Sequence, residues 1–249
     1  MNLQQVIFED LGIVDYHSAW DYQEELLKQN VQKKTLAVST DITPSDKVIS
    51  DTGTIHRLLF VEHPPVYTLG KSGKMENVLL TEEQLNQRSI QFYKTNRGGD
   101  ITFHGPGQLV GYPVFDLEKF YTDIGRYLRN LEEVIIRTMA EYGLKGERSP
   151  GETGVWLDPD IKGQERKICA IGVRCSRWVT MHGFAFNVNT DLGYFNHIIP
   201  CGIVNKQVTS LEKELQKKIS MEEVKEIVLQ KFEEVFEISI AKEEQIADL

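Results

Sequence analysis

Reactive side chains of this chain fall in three short segments. The first is glycine-rich and consists of Arg97, Gly98, Gly99, Asp100, Ile101, Thr102, Phe103 and His104, followed by Gly105-Pro106-Gly107. Glycine has no Cβ, so such a loop allows the backbone to approach a ligand closely. The same composition is typical of a tight connection between strands, with Arg97 exposed and His104 satisfied locally. The glycine pattern alone leaves both interpretations open.

The other two segments each offer one group for acid–base or nucleophilic chemistry. Lys167 lies beside an apolar strand pattern, where partial burial would favour a neutral amine that can act as a base. The alternative is an edge lysine whose ammonium reaches water. Cys201 stands between Pro200 and Gly202, a turn that can project a thiol into a cleft. A free cysteine is more often simply buried, so both readings stay open here as well.

Other reactive patterns are weaker. Gly70-Lys71-Ser72 resembles the end of a phosphate-binding loop, but Pro65 takes the place of its first glycine and no apolar helix follows. Gly105-Pro106-Gly107 with Gly111 is one residue off the dinucleotide-binding spacing and leads into a strand pattern. No two of the six histidines are four residues apart, which makes helical metal chelation a poor interpretation.

Composition restricts the class of protein. The 249 residues carry 41% hydrophobic and 26% charged side chains, which is typical of a folded globular chain. The net charge of −9 argues against a general nucleic-acid or anionic-membrane surface. Three cysteines without C-x-x-C spacing favour reduced thiols rather than a disulfide framework, and six-residue spacing puts Cys169 and Cys175 on one face of a strand. We find no targeting signal and no apolar run of ~18–20 residues, and expect a cytoplasmic protein.

The elements that must position these segments follow from hydrophobic periodicity. Expected strands occupy residues 57–62, 66–69, 90–95, 101–115 with a break, 155–157, 168–174 and 178–188. Helices are expected after Asp15, after Thr81 in a capping box, from Asp123 to Gly143, and after Ser220. The polar stretch 32–51 predicts a loop. This pattern predicts an α/β (α+β) fold in a single domain, 1–249, with an acid-rich helical tail from about residue 211.

Four ordered blocks between about residues 57 and 211 closely resemble lipoyl(octanoyl) transferases. They are EHPPVYTLG, RGGDITFHGPGQLVGYPVFDL, KICAIGVRCSRWVTMHGFAFNVN, and IIPCGI followed by VTSL. The resemblance implies the fold of biotin and lipoate protein ligases, a mixed β-sheet with flanking helices. It also implies an acyl-binding pocket built from residues 97–104, Ala170, Ile171, Gly172, Gly183, Phe184 and Ala185.

The chemistry implied by the resemblance is octanoyl transfer from octanoyl-acyl carrier protein to a lysine of apo lipoyl domains, the first step of endogenous lipoate attachment. The expected acceptors are the lipoyl domains of 2-oxoacid dehydrogenase E2 subunits and the glycine cleavage H protein. Cys201 matches the nucleophile that forms a thioester, and Lys167 matches its partner base. No ATP, metal or redox cofactor is expected, nor a nucleic-acid or membrane partner.

Three alternatives remain at this point. An ATP-dependent lipoate-protein ligase of the same fold would need no cysteine, a cysteine hydrolase would resolve the thioester with water, and a carrier-binding module would bind without turnover.

A further expectation concerns docking of the acyl carrier protein. Between residues 161 and 182 the sequence contains one acid, Glu165, and five basic side chains: Lys162, Arg166, Lys167, Arg174 and Arg177. They form either an ordinary solvated surface or a rim that attracts an acidic carrier protein.

Overall fold

The computed structural model describes residues 3–40, 53–199 and 207–242. The strands in chain order are β1 (Gln4–Ile13), β2 (His56–Glu62), β3 (Val66–Leu69), β4 (Gln91–Lys94), β5 (Ile101–His104), β6 (Gln108–Val114), β7 (Val155–Leu157), β8 (Arg166–Ser176), β9 (Val179–Asn187), β10 (Gln207–Val208) and β11 (Ile238–Lys242). The α-helices are α1 (Tyr16–Thr40), α2 (Glu82–Gln87), α3 (Ile124–Glu141), α4 (Leu211–Leu215) and α5 (Met221–Phe236). None of the helices in these ranges is long and apolar enough to cross a membrane.

The strands form one large mixed sheet and one small sheet. The large sheet has the order β10-β8-β9-β6-β2-β1-β11, with β7 also paired to β8. Its pairs β1–β2, β1–β11 and β8–β10 are parallel, whereas β2–β6, β6–β9 and β8–β9 are antiparallel. The small sheet has the order β4-β3-β5. A mixed sheet with flanking helices confirms the predicted fold class.

Helices cover both faces of the large sheet. Because successive strand residues point to opposite faces, Leu58 and Phe60 of β2 face one layer while Leu59 and Val61 face the other. The first layer contains α3 and α5, and the second contains α1. Asp123 caps α3, as predicted, by accepting a hydrogen bond from the backbone N–H of Arg126 at 2.9 Å. The predicted cover of one sheet face by α3 is confirmed.

The acid-rich C-terminal part packs against this same sheet. Ser220 begins α5 as predicted, and the apolar side chains of α5 join those of α3 in one core cluster. The buried members from α5 are Val224, Val228, Phe232 and Phe236. After α5, β11 pairs with β1 at the sheet edge. The division of the chain into domains stays a prediction.

One part of the sequence prediction that differs from the structure is the loop expected after the first helix. Helix α1 continues to Thr40, although residues 32–51 were expected to form a loop. Side chains of this extension are anchored to residues outside the helix: Lys33 Nζ donates to the Gly53 carbonyl at 2.9 Å, and the Lys34 ammonium donates to Asp116 Oδ1 at 2.6 Å. Hydrophobic periodicity carries no sign of such long-range contacts. The remaining part of the predicted loop, 41–51, lies outside the described residues.

Candidate active site

One cavity of about 510 Å³ collects most of the residues that the sequence singled out. The predicted members that line it are Arg97, Gly98, Gly99, Asp100, Ile101, Thr102, His104, Lys167, Ala170, Ile171, Gly172, Gly183, Phe184 and Ala185. Phe103 does not join them, because its buried ring stacks on Tyr194 with 4.4 Å between ring centroids. Three distant stretches of the sequence therefore line one cavity.

Arg97 is a clamp inside the glycine-rich loop rather than an exposed side chain. It is only 7% exposed. Its Nη2 donates to the Thr68 carbonyl at 2.6 Å and to the Asp100 carbonyl at 2.8 Å. The loop backbone is fixed as well, since the N–H of Gly98 donates to the Val173 carbonyl on β8 at 2.9 Å. The expectation of an exposed Arg97 is therefore wrong, although the segment does connect β4 with β5.

Glycine is required where the loop meets β8. A Cβ on Gly172 would lie 2.8 Å from the carbonyl oxygen of Gly98, which is a backbone atom anchored to the next residue of the same strand. We expect Gly172→Ala to lower the free energy of unfolding by about 2 kcal/mol because the loop must leave the strand. Urea unfolding and hydrogen exchange of the Gly98 amide measure this.

A matched control for this prediction is Gly125→Ala in the first turn of α3. There the added Cβ meets only the Asp123 carboxylate oxygen, at 3.2 Å, and alanine favours a helix. An unchanged stability and unchanged Gly98 exchange in Gly172→Ala would contradict the proposed contact.

His104 lies in a directed chain of buried hydrogen bonds. Arg97 Nη2 donates to Thr68 Oγ1 at 2.9 Å, and this hydroxyl lies 3.2 Å from His104 Nε2. His104 Nδ1 lies 2.8 Å from Gln108 Oε1, while Gln108 Nε2 donates to Asn187 Oδ1 at 2.9 Å. The consistent assignment puts the His104 proton on Nδ1 and makes Nε2 an acceptor from Thr68. Burial, with a smaller effect of neighbouring cationic groups, holds the His104 pKa well below its usual value.

An aromatic group from the start of α1 completes this wall. The Tyr16 ring stacks on His104 at a centroid distance of 5.8 Å. Behind this wall, the buried His63 contacts the Tyr16 ring by its edge, with Nδ1 facing the Val14 carbonyl and Nε2 facing the Tyr112 hydroxyl, both at 2.7 Å. Burial raises the pKa of Tyr16 to about 12 and lowers that of His63 to about 4. The sequence analysis missed Tyr16 and Tyr112 as cavity residues, although the expected helix start at Asp15 placed Tyr16 at an element boundary.

Lys167 also lines the cavity, near the start of β8. Its Nζ lies 4.6 Å from the centroid of the Trp156 ring. The loop before β7 packs on its alkyl chain, where a Cβ on Gly154 would be 3.4 Å from Lys167 Cε and 2.5 Å from the Cys169 carbonyl. The Gly154 N–H is held at 2.9 Å by Glu132, a buried carboxylate on α3. The lysine stem is therefore confined between an indole ring and a fixed backbone.

The chain on both sides of Pro200-Cys201-Gly202 is hydrogen-bonded to residues of this site. Before it, the N–H of Ile199 donates to the Asn77 carbonyl at 2.9 Å, and Asn77 Nδ2 donates to Asp100 at 2.9 Å. After it, the N–H of Thr209 donates to the Lys167 carbonyl at 2.9 Å. Phe195 and Val208 line the cavity. Cys201 itself lies outside the described residues.

The two cysteines within the described residues are poor nucleophiles. Cys169 is fully buried in the main core cluster, and burial raises the pKa of its thiol far above the usual value. Cys175 is half-buried, and burial also raises its pKa. A thiol with a raised pKa is almost entirely protonated at neutral pH, and only the thiolate reacts readily. Packing thus explains these two residues, as the strand alternation indicated.

The basic stretch does not form a continuous free rim. Arg166 is paired with Asp158 at 2.5 Å and with Glu214 at 2.7 Å, and Arg174 is paired with Glu24 at 2.6 Å. Arg177 follows the far end of β8, roughly 33 Å along the strand from Arg166. These ion pairs neutralise part of the positive charge of the basic stretch. The stretch therefore resembles an ordinary ion-paired surface more than a docking rim.

Comparisons with known proteins agree with this geometry. The family model of the lipoyl protein ligase A/B catalytic domain matches residues 15–233. An octanoyltransferase from Christiangramia forsetii is 56% identical over 95% of this chain and 98% of the relative. One from Flavobacterium johnsoniae is 56% identical over 95% of this chain and 99% of the relative.

Solved structures of low sequence identity share the fold. A lipoate-protein ligase A bound with ATP has a TM-score of 0.65 at 15% identity, covering 98% of this chain and 89% of that chain. A bi-partite lipoate protein ligase from Thermoplasma acidophilum has a TM-score of 0.61 at 17% identity, covering 98% and 87%. Fold likeness alone does not separate ligases from transferases, whereas the identity to curated relatives does. The chain belongs to the octanoyltransferase family of acyltransferases, within the lipoyl protein ligase A/B catalytic domain family.

Proposed function

We propose that this protein transfers an octanoyl group from octanoyl-acyl carrier protein to a lysine of apo lipoyl domains through a thioester on Cys201. Lys167 serves as the base. The observation that carries the proposal is the shared cavity: the Lys167 side chain, the clamped loop at Arg97 and the glycine contacts of β8 and β9 all line it. The segments flanking Cys201 are hydrogen-bonded to the same walls.

The first half of the reaction needs a thiolate. An ordinary thiol has a pKa of ~8.5 and is only a few per cent ionised at neutral pH, so a nearby amine that takes the proton increases the reactive fraction. The Cys201 thiolate then attacks the thioester carbonyl, the bond from that carbon to the carrier sulfur breaks, and the carrier sulfur takes the proton from Lys167 and leaves as a thiol. Lys167 is then neutral again. One thioester replaces another, so the step is nearly isoenergetic.

The second half uses the same base. The neutral amine of the acceptor lysine attacks the Cys201 thioester and loses a proton to Lys167, and the Cys201 sulfur departs and regains a proton. An amide forms from a thioester, which is downhill and needs no ATP.

The cavity can hold the alkyl chain during both halves. Its walls include the apolar side chains of Ile124, Leu128, Ile171 and Phe184. Each CH₂ group transferred from water to such a surface gains about 0.8 kcal/mol. Burial of an eight-carbon chain thus supplies binding energy without any charged contact, which fits a donor whose reactive end is a neutral thioester.

Intact mass spectrometry tests the proposal directly. Wild-type protein mixed with octanoyl-acyl carrier protein should gain one octanoyl group without ATP, and an added lipoyl domain should remove it. A strict requirement for ATP and Mg²⁺ would indicate the ligase alternative. Release of free octanoate in preference to transfer would indicate a hydrolase, and binding without a mass increase would indicate a carrier-binding module.

Lys167→Ala should slow acylation of the enzyme by ~10²–10⁴-fold near pH 7, because proton transfer by a positioned base typically contributes that much. The rate should recover partly as the pH is raised, since hydroxide can then ionise the thiol. Stopped-flow or quenched acylation between pH 6 and 10 measures this. The exposed Lys162 on the same segment provides the control, and Lys162→Ala should keep the wild-type profile. A Lys167→Ala profile of unchanged shape would remove Lys167 from this role.

A further inference from the structure

The Lys167 side chain ends over the face of the Trp156 ring. Trp156 lies in β7 and is only 2% exposed, and Lys167 is its partner in the antiparallel pairing of β7 with β8. Side chains of such a pair are direct neighbours, and the Lys167 Nζ lies 4.6 Å from the centroid of the indole ring. This distance is within the range of a cation–π interaction, in which the electron-rich face of a ring attracts a positive charge.

Backbone pairing on both sides of β7 fixes the indole ring in this place. The Trp156 N–H donates to the Glu147 carbonyl at 2.9 Å, and the Trp156 carbonyl accepts from the Glu147 N–H at 2.8 Å. Gly154, two residues earlier, donates its N–H to the buried Glu132 at 2.9 Å. The ring face therefore cannot move away from Lys167 unless β7 loses this pairing or its pairing with β8.

The charged groups around Lys167 leave the ring as its direct contact. Within residues 3–40, 53–199 and 207–242, Lys167 forms no ion pair. Glu132 is already paired with Arg129 at 2.8 Å and with Arg148 at 3.0 Å. The other titratable groups on the surrounding elements and the cavity wall are Glu147 with its partner Lys145, Arg166 with its partners Asp158 and Glu214, the buried Cys169, and Tyr16, Arg97, Asp100, His104, Tyr112, Glu152 and His182. The aromatic face is thus the contact that favours positive charge on the Lys167 amine.

We propose that Trp156 is a positioning residue for Lys167, with a ring face that stabilises the ammonium formed when Lys167 takes the proton of a thiol. This inference rests on the proposed function, in which Lys167 is the base. The proton moves from sulfur to the Lys167 nitrogen and the S–H bonding electrons stay on sulfur, so a neutral pair becomes a thiolate and an ammonium. A cation gains more from an aromatic face in a desolvated site than at an exposed one. The ring therefore shifts the proton transfer towards the reactive thiolate.

The electron density of the ring can be changed with almost no change in its shape. Replacement of Trp156 alone by mono-, di- and tetrafluorinated tryptophan weakens the attraction of the ring for a cation in that order. The NMR signal of Lys167 Cε, followed against pH in Cys201→Ala protein, reports the ammonium fraction without interference from the thiol. The conversion of ammonium to amine should move to lower pH with each step, by ~0.4–1.5 pH units over the series. An unchanged titration in the tetrafluoro protein would overturn the proposal.

A comparison of two backgrounds separates this role from packing. Tetrafluorination of Trp156 should slow acylation by octanoyl-acyl carrier protein near pH 7 by ~3–30-fold, and the loss should disappear towards pH 10, where hydroxide ionises the thiol. In Lys167→Ala protein the same change of the ring should have no further effect. Equal slowing in both backgrounds, or slowing that persists at pH 10, would assign Trp156 to packing alone and overturn the proposal.

Trp178 provides the matched control, because its ring packs against the main core cluster and does not line the cavity. Fluorination there should leave both the Lys167 titration and the acylation rate unchanged. Changes as large as those at Trp156 would reveal a general effect of fluorine and overturn the proposal. If the Lys167 titration responds to fluorination of Trp156 while unmodified protein forms no octanoyl thioester, the effect of the ring on Lys167 stands and the thioester route is refuted.

Discussion

Cys201→Ala should abolish both the octanoyl-enzyme and turnover, by at least ~10⁴-fold in kcat, because we propose that it removes the covalent nucleophile. The other two thiols cannot replace it. Cys169 is sealed in the core and Cys175 lies at the far end of β8, and burial raises the pKa of both. Intact mass after incubation with octanoyl-acyl carrier protein, together with octanoylation of a lipoyl domain, measures the two losses.

Cys175→Ala is the matched control and should keep both the mass increase and the turnover. Octanoylation of the Cys201→Ala protein at the wild-type rate would show that another residue is the nucleophile. If the mass increase disappeared while turnover remained, direct transfer without a covalent intermediate would replace the proposed route.

Acid should unfold the protein well above the pH at which most proteins lose stability. Burial lowers the pKa of His56 and His63 to about 4 and that of His182 to about 3. The unfolded chain takes up protons on these residues below pH ~6.5 while the native state does not. The free energy of unfolding is therefore unaffected above that value and falls as the pH decreases from about 6.5 towards 4. Each histidine contributes a loss of roughly 3 kcal/mol.

Urea unfolding at several pH values between 7 and 4.5 measures this loss. Because three or more protons are taken up on unfolding, the slope of the free energy of unfolding against pH should approach ~4 kcal/mol per pH unit at the acidic end. In His56→Gln, which removes one of these groups outside the cavity, the slope should fall by ~1.4 kcal/mol per unit. Constant stability from pH 7 to 5 would show that the histidines protonate in the native state.

Much of the cavity could be predicted from local sequence. The glycine loop, Lys167 and the Gly183 segment all carry their signal in neighbouring residues, and the structure brings them together. The burial of Arg97 could not be predicted, because the pairing of β3 with β5 brings its hydrogen-bond partners Thr68 and Asp100 together. Only tertiary contacts decide whether an arginine in a glycine-rich loop is exposed or buried.

The secondary-structure elements also divide into those with a local sequence signal and those that depend on distant contacts. Strands β2, β3 and β9 were predicted within two residues because apolar runs bounded by breakers are local signals. Strands β1 and β11 were missed, since each is half-exposed and gains its stability by pairing with a segment at the other end of the chain. His182 is a further case: its φ of +57° lies in the left-handed region within β9, and the residue types of a strand pattern carry no signal of such a conformation.

The directed hydrogen bonds of the polar wall bear on the lifetime of the acyl-enzyme. Both ring nitrogens of His104 are engaged in hydrogen bonds, and burial holds its pKa well below the usual value. This imidazole is therefore a poor base for an entering water molecule. For the octanoyl thioester that we propose on Cys201, a cavity wall of this kind would slow hydrolysis and leave time for a macromolecular acceptor to bind.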